Sequence, residues 1–179
     1  MSEVVYRTAW HMGDPAIERD AELFWRANRA LPSGSDTGAR LSELCAVAYL
    51  GDELVGVATA SIRTIDFLRS KLAMFRCLVA PSARNNQVAS RLGVYSRDLL
   101  EAWSKANPDE GVMGLGAVIQ SRALVKNNPY AVYPDTKLAF VGYTQEGYQM
   151  RVYWFAHATI SKYWPGDDGM RPAASEHPA

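Results

Sequence analysis

Histidine and cysteine are scarce in this chain of 179 residues, which has three of the first and two of the second. Cys45 and Cys77 show no CxxC spacing, so no metal-ligand pattern is present and no metal is expected. Each lies inside an apolar, strand-like run. That reads as two buried free thiols in a reducing compartment, with the cytoplasm as the expected location. Net charge is also missing: 19 Lys and Arg balance 19 Asp and Glu. The balance argues against bulk nucleic acid or an anionic membrane surface as a partner. No apolar run approaches the roughly 20 residues of a membrane span. Met1 to Trp10 lacks a basic segment followed by an apolar core, so no signal peptide is expected. His11, His157 and His177 sit in no nucleophile–base context, and no internal repeat is found. The glycines of Gly114-Leu115-Gly116 fall inside a strand, which is not where a dinucleotide fingerprint lies.

What remains is an ordinary globular composition, 48% apolar and 21% charged, enough for one domain over residues 1–160. Residues 161–179 are mostly Pro, Gly, Ala and charge and read as a disordered tail. Glu3 to Trp10 reads as a first strand. Asp14-Pro15 opens a helix, with Asp as cap and Pro at the first helical position. Ile17, Ala21, Phe24, Asn28 and Leu31 form its face, with Trp25 beside it. Residues 31–40, rich in Gly, Pro and hydroxyl groups, read as a loop. Glu43 to Leu50 and Glu53 to Asp66 read as strands joined by a Gly51-Asp52 turn.

The most informative stretch is 71–105. Leu72 to Ala80 is an apolar strand interrupted only by Arg76, and Pro81 ends it. Ser82 to Asn86 has turn chemistry. Val88, Leu92, Tyr95, Leu99 and Trp103 then fall on one helical face. A turn leading into a helix directs backbone N–H groups and the positive end of the helix dipole outward, which suits an anion. Val112 to Ile119 follows as a strand, so strand, helix and strand imply a parallel, right-handed crossover. A short helix over Gln120 to Lys126 comes next. Lys137 to Tyr143 and Tyr148 to Ala156 close the chain as a hairpin.

The fold class is therefore α/β, of the α+β kind: a mixed, mostly antiparallel sheet flanked by helices. Over residues 3–156 this layout resembles the GNAT superfamily of acyl-CoA-dependent N-acyltransferases. The family's pyrophosphate loop reads Arg/Gln-x-x-Gly-x-Gly/Ala. Here that slot holds Arg84, Asn85, Asn86, Gln87, Val88 and Ala89, with Gln87 where the family usually has glycine.

The resemblance implies direct transfer of an acetyl or other acyl group from CoA to a small-molecule or peptide amine. Backbone N–H groups near Leu78 and Val79 would hold the cofactor arm, and the loop amides with Arg84 the pyrophosphate. Asn127 would bind the arm as well. Tyr133 and Tyr130 are the general-acid candidates, Tyr133 slightly ahead. The motif strand has no carboxylate, so Glu43, or else Asp66 or a water relay, is the candidate base. Arg76 either faces the acceptor or points to solvent. Cys77, near the expected thioester, reads as inert unless a base lies beside it. The alternative is a GNAT-fold binding or dimerisation module without catalysis. The closing hairpin, with Tyr143, Tyr148, Tyr153, Trp154 and Phe155, is aromatic on both faces, so one face meets something other than the first core: a flanking helix, a partner subunit in a homodimer through this edge, or water.

Overall fold

The structure is a computed structural model that describes residues 3–31 and 37–160, with only the backbone at Asn85 and Asn86. The expected tail, 161–179, lies outside the described residues. Seven strands form one sheet: β1 (Val4–Thr8), β2 (Leu44–Leu50), β3 (Glu53–Ile65), β4 (Ser70–Val79), β5 (Val112–Ile119), β6 (Ala139–Tyr143) and β7 (Gln149–Trp154). Their order is β1-β2-β3-β4-β5-β7-β6. Among the described residues only β4 and β5 run parallel; the other neighbours are antiparallel. The architecture is thus the expected mixed, mostly antiparallel sheet flanked by helices.

Helix α1 (Pro15–Ala27) starts where the sequence says it should. The Asp14 carboxylate accepts from the N–H groups of Ala16 and Ile17, and Pro15 occupies the first position. Ile17, Ala21, Phe24 and Trp25 are buried against Leu44, Val47, Tyr49 and Val57 on one face of the sheet. A short helix, α2 (Thr37–Ser42), begins within the stretch read as a loop over 31–40; its glycine and hydroxyl residues concealed it.

Helix α3 (Val88–Ala106) crosses the other face. Its buried line is Val88, Leu92, Ser96, Leu100 and Ser104, together with Gly93. The larger Tyr95, Leu99 and Trp103, expected at the centre of that face, are only partly buried. Small residues win the centre because they let the helix lie close to the sheet. A Cβ at Gly56 of β3 would already stand 3.2 Å from Val88. The Ser104 hydroxyl donates to the Val112 carbonyl at 2.6 Å and ties the helix end to β5. A short helix α4 (Arg122–Asn127), capped by Ser121, follows β5. Among the described residues no helix is long and apolar enough to cross a membrane.

Side chains alternate along β4. Leu72, Met74 and Leu78 join the clusters on the α1 face, whereas Ala73, Phe75, Cys77 and Val79 join the cluster under α3. Arg76 therefore stands on the α1 face.

Candidate active site

The parallel pairing of β4 and β5 is short. It runs from Lys71 opposite Val112 to Met74 opposite Gly116, and then stops. Both strands continue, β4 to Val79 and β5 to Ile119, each still paired on its outer side. Beyond Met74 the sheet is split. A split leaves an inner row of N–H and C=O groups on β4 without a strand to pair with.

The direction of those groups follows from one hydrogen bond. Ala80 donates its N–H to the Val55 carbonyl at 2.9 Å, towards β3. Alternation in an extended strand sends the Leu78 N–H the same way and turns the N–H groups of Cys77 and Val79 into the split. Of the two amides expected there, Val79 faces the split. Leu78 faces β3, and Cys77 takes its place.

At its end β4 meets Pro81, which opens a 3-10 turn over Pro81–Asn86. Gln87 then joins the turn to α3 in a left-handed conformation, φ 56° and ψ 15°. This explains the glycine of the family pattern at the same slot: the backbone there has positive φ, which glycine adopts freely and glutamine only at a cost. Among the described side chains none caps α3, and the Arg91 N–H donates to the Gln87 carbonyl at 3.0 Å. The N–H groups of Val88, Ala89 and Ser90 point along the helix axis towards the turn. Arg84 is exposed within that turn. Ala89 is exposed and Val88 buried.

A cavity of about 510 Å³ adjoins this helix start, lined by Tyr6, Gln87, Ser90, Arg91, Tyr95 and Asp135 among others. Sequence reasoning missed Arg91, although it follows Arg84 by two helical turns of sequence. It also missed Asp135. The Ser90 hydroxyl donates to the Asp135 carboxylate at 2.6 Å, which places a negative charge beside the positive helix end.

Tyr133 is buried, 7% exposed, in the same cluster as Val79, Ala117 and Ile119, which belong to the two walls of the split. Its hydroxyl is enclosed and has no hydrogen-bond partner among the described residues. The buried Arg151 guanidinium lies 3.8 Å from the Tyr133 ring centroid and donates to the carbonyls of Tyr130 and Ala131. This holds the irregular segment after α4 in place. Tyr130 is exposed, as is Asn127 at the end of α4.

Glu43 is half-buried just before β2 and accepts the Ala60 N–H through its carbonyl. It lies two strands from β4, roughly 10 Å. A proton leaving the split for Glu43 would have to travel through water. Cys77 is half-buried, and burial pushes its thiol up to about 12, so it is no thiolate at neutral pH. Among the described residues no cluster of His, Cys, Asp or Glu is arranged for a metal ion.

No protein-family model matches the sequence, and no curated protein matches it. Solved structures do share its fold. A GNAT-family acetyltransferase from Streptococcus pneumoniae aligns with 85% of this chain and 99% of its own, at 15% identity and a TM-score of 0.52. A provisionally assigned acetyltransferase from Salmonella typhimurium, solved with acetyl-CoA, aligns with 88% of this chain and 96% of its own, at 15% identity and a TM-score of 0.54. An aminoglycoside 6'-N-acetyltransferase, solved with coenzyme A, aligns with 87% and 99%, at 13% identity and a TM-score of 0.53. The likeness at these identities is one of fold: the chain has the GNAT-superfamily fold.

Proposed function

We propose that this chain is an acyltransferase that moves acetyl, or another acyl group, from an acyl-CoA to a primary amine by direct transfer. The observation that carries the reading is the split beyond Met74 and Gly116. It aims the Cys77 and Val79 amides into open space and leads to the uncapped start of α3. Such a row of donors fits the amide-bearing arm of CoA, and the helix start with Arg84 and Arg91 fits its phosphates. The orphaned hydroxyl of Tyr133 fits a polar atom arriving in the split.

The bound acyl-CoA supplies the thioester; the chain supplies orientation and proton handling. The net change breaks the thioester C–S bond and forms an amide C–N bond. One amine proton ends on sulfur, and the extra proton of the ammonium form goes to solvent. The Val79 N–H is the oxyanion donor. Tyr133 Oη holds the proton that sulfur receives. No carboxylate reaches the split among the described residues of β4, so water carries the amine proton away.

Asp135 beside the helix start and Gln87 in place of glycine favour a second reading, a GNAT-fold binding module without catalysis. Amine-dependent release of free CoA thiol separates the two. The enzyme reading predicts release with at least one amine of a broad primary-amine panel. It also predicts that Tyr133→Phe lowers kcat by about 100-fold with acetyl-CoA affinity retained. Binding of acetyl-CoA without release on any amine supports the module.

A further inference from the structure

On the α1 face, β3, β4 and β5 carry two arginines and no carboxylate. The register sets Arg76 opposite Thr59 and Arg63 opposite Leu72, with glycines 114 and 116 on β5. That is an uneven distribution in a chain with equal numbers of acidic and basic residues. Arg76 is the first residue on this face beyond the end of β4–β5 pairing, so it stands at the mouth of the split. It is exposed, and no hydrogen bond or ion pair holds it among the described residues. Thr59 links it across β3 to Leu44 of β2, where α2 ends.

Arg40 belongs to α2, which ends two residues before Leu44. Its guanidinium lies over the Trp25 ring at 5.0 Å and donates through Nη1 to the Ala30 carbonyl at 3.0 Å. Its Nε is enclosed and has no partner among the described residues. Burial, and then the positive charge of Arg76, depress its pKa, while Glu43 opposes them. Arg40 and Arg76 thus lie within electrostatic reach of one another, with Glu43 opposing the effect on Arg40, and among the described residues Glu43 forms an ion pair with neither.

We propose that Arg76 and Arg40 form an acceptor subsite, and that the acceptor is an amine carrying its own carboxylate. This rests on the acyltransferase reading above. Guanidinium groups bind carboxylates through paired N–H donors, and Arg76 has all of its donors free. Arg40, anchored on Trp25, is the fixed member; Arg76, unanchored, closes on the ligand. The amine of a carboxylate held there is directed to the split, where the Cys77 and Val79 amides lie.

The test uses matched acceptors, each an amino acid paired with its neutral amide, for example β-alanine with β-alaninamide and L-glutamate with its diamide. Thiol release from acetyl-CoA is followed in the wild type, Arg76→Gln, Arg76→Lys and Arg40→Gln. The expected result is a carboxylated amine preferred over its amide by about tenfold to a hundredfold in kcat/KM. Arg76→Gln should abolish the preference through KM, Arg76→Lys should restore part of it, and acetyl-CoA affinity should be unchanged. The Arg76 side chain is exposed and makes no hydrogen bond or ion pair among the described residues, so its variants also guard against misfolding of Arg40→Gln. Equal use of amide and acid, or a preference that survives Arg76→Gln, overturns the inference and leaves the transferase reading intact. If no amine is turned over, the transferase reading fails. Side-chain NMR of the arginine Nε–H groups, with β-alanine and β-alaninamide titrated into protein holding CoA, then decides the subsite. Shifts with the acid alone support it; no shift, or shifts with both, overturns it.

Discussion

Met74 Sδ occupies the space that a side chain at residue 116 would need: a Cβ on Gly116 would stand 2.7 Å from it and 3.2 Å from Leu72 Cδ1. These two residues are also the last registered pair of β4 and β5. The sheet opens where a large flexible side chain lies across a residue without one. Gly116→Ala is expected to cost about 1–2 kcal/mol, because Met74 must move aside. Met74→Ala in the same chain should relieve it, so the double variant should be less destabilised than the sum of the singles by more than about 0.5 kcal/mol. Urea unfolding of the four proteins checks this. Strict additivity would mean that the two residues do not share the space.

Gln87 is strained by its positive φ. Gln87→Gly is expected to raise stability by about 0.5–1 kcal/mol, since relief of the left-handed cost exceeds the entropy that glycine adds to the unfolded chain. Gln87→Val, β-branched at the same φ, should destabilise. Chemical denaturation midpoints report both. The glycine variant should also bind acetyl-CoA at least as well, because the backbone path is the one the phosphates meet.

Asp135 sets stability against binding. Its carboxylate, held by Ser90, favours the positive end of α3 but repels an incoming phosphate. Asp135→Asn is expected to lower stability by a few tenths of a kcal/mol and to tighten acetyl-CoA binding by about threefold to tenfold. The gain should shrink as salt is raised. Calorimetry at two ionic strengths measures it. Unchanged affinity at low salt would show that the phosphates lie elsewhere.

Burial pushes both thiols, Cys45 and Cys77, up to about 12. A thiol in the unfolded chain ionises near pH 8.5. Between those values the folded state binds more protons than the unfolded one, so stability is complete below about pH 8 and falls as pH rises towards 12. The urea midpoint should therefore decline from about pH 9 upward. Cys45→Ala with Cys77→Ala should flatten the first part of that decline. Some slope remains, because burial and the hydrogen bond to Asp20 also push Tyr49 up to about 12. A thiol reagent at pH 8 should react slowly with native protein and quickly in urea.

The pairing of strands along the chain was readable because its connections are diagnostic, but the seat of β7 between β5 and β6 was not. Gly51-Asp52 marks a hairpin, and a strand, long helix and strand mark the crossover. Asp14-Pro15 located the start of α1 to the residue, whereas the face read through Asn28 to Leu31 overran its end at Ala27. The buried line of α3 was misplaced because hydrophobicity favours Tyr95 and Trp103, whereas closeness to the sheet favours Ser96 and Ser104. The turn was visible at Arg84 and Ala89, but the positive φ of Gln87 was not, since composition says nothing of φ at a single residue. Which β4 amide faces the split depends on strand phase, set here by the bond from Ala80 to Val55. Arg76 was visible as an oddity. Its company with Arg40 was not, because residues 31–40 carry few helical signals.

The most direct test is calorimetric titration of acetyl-CoA into the native protein and into Arg84→Glu, which reverses a charge at the start of α3. The expected result is saturable one-to-one binding to the native protein, weakened by about tenfold or more in the variant. Absence of binding to protein shown to be folded, or equal binding by both, would contradict it.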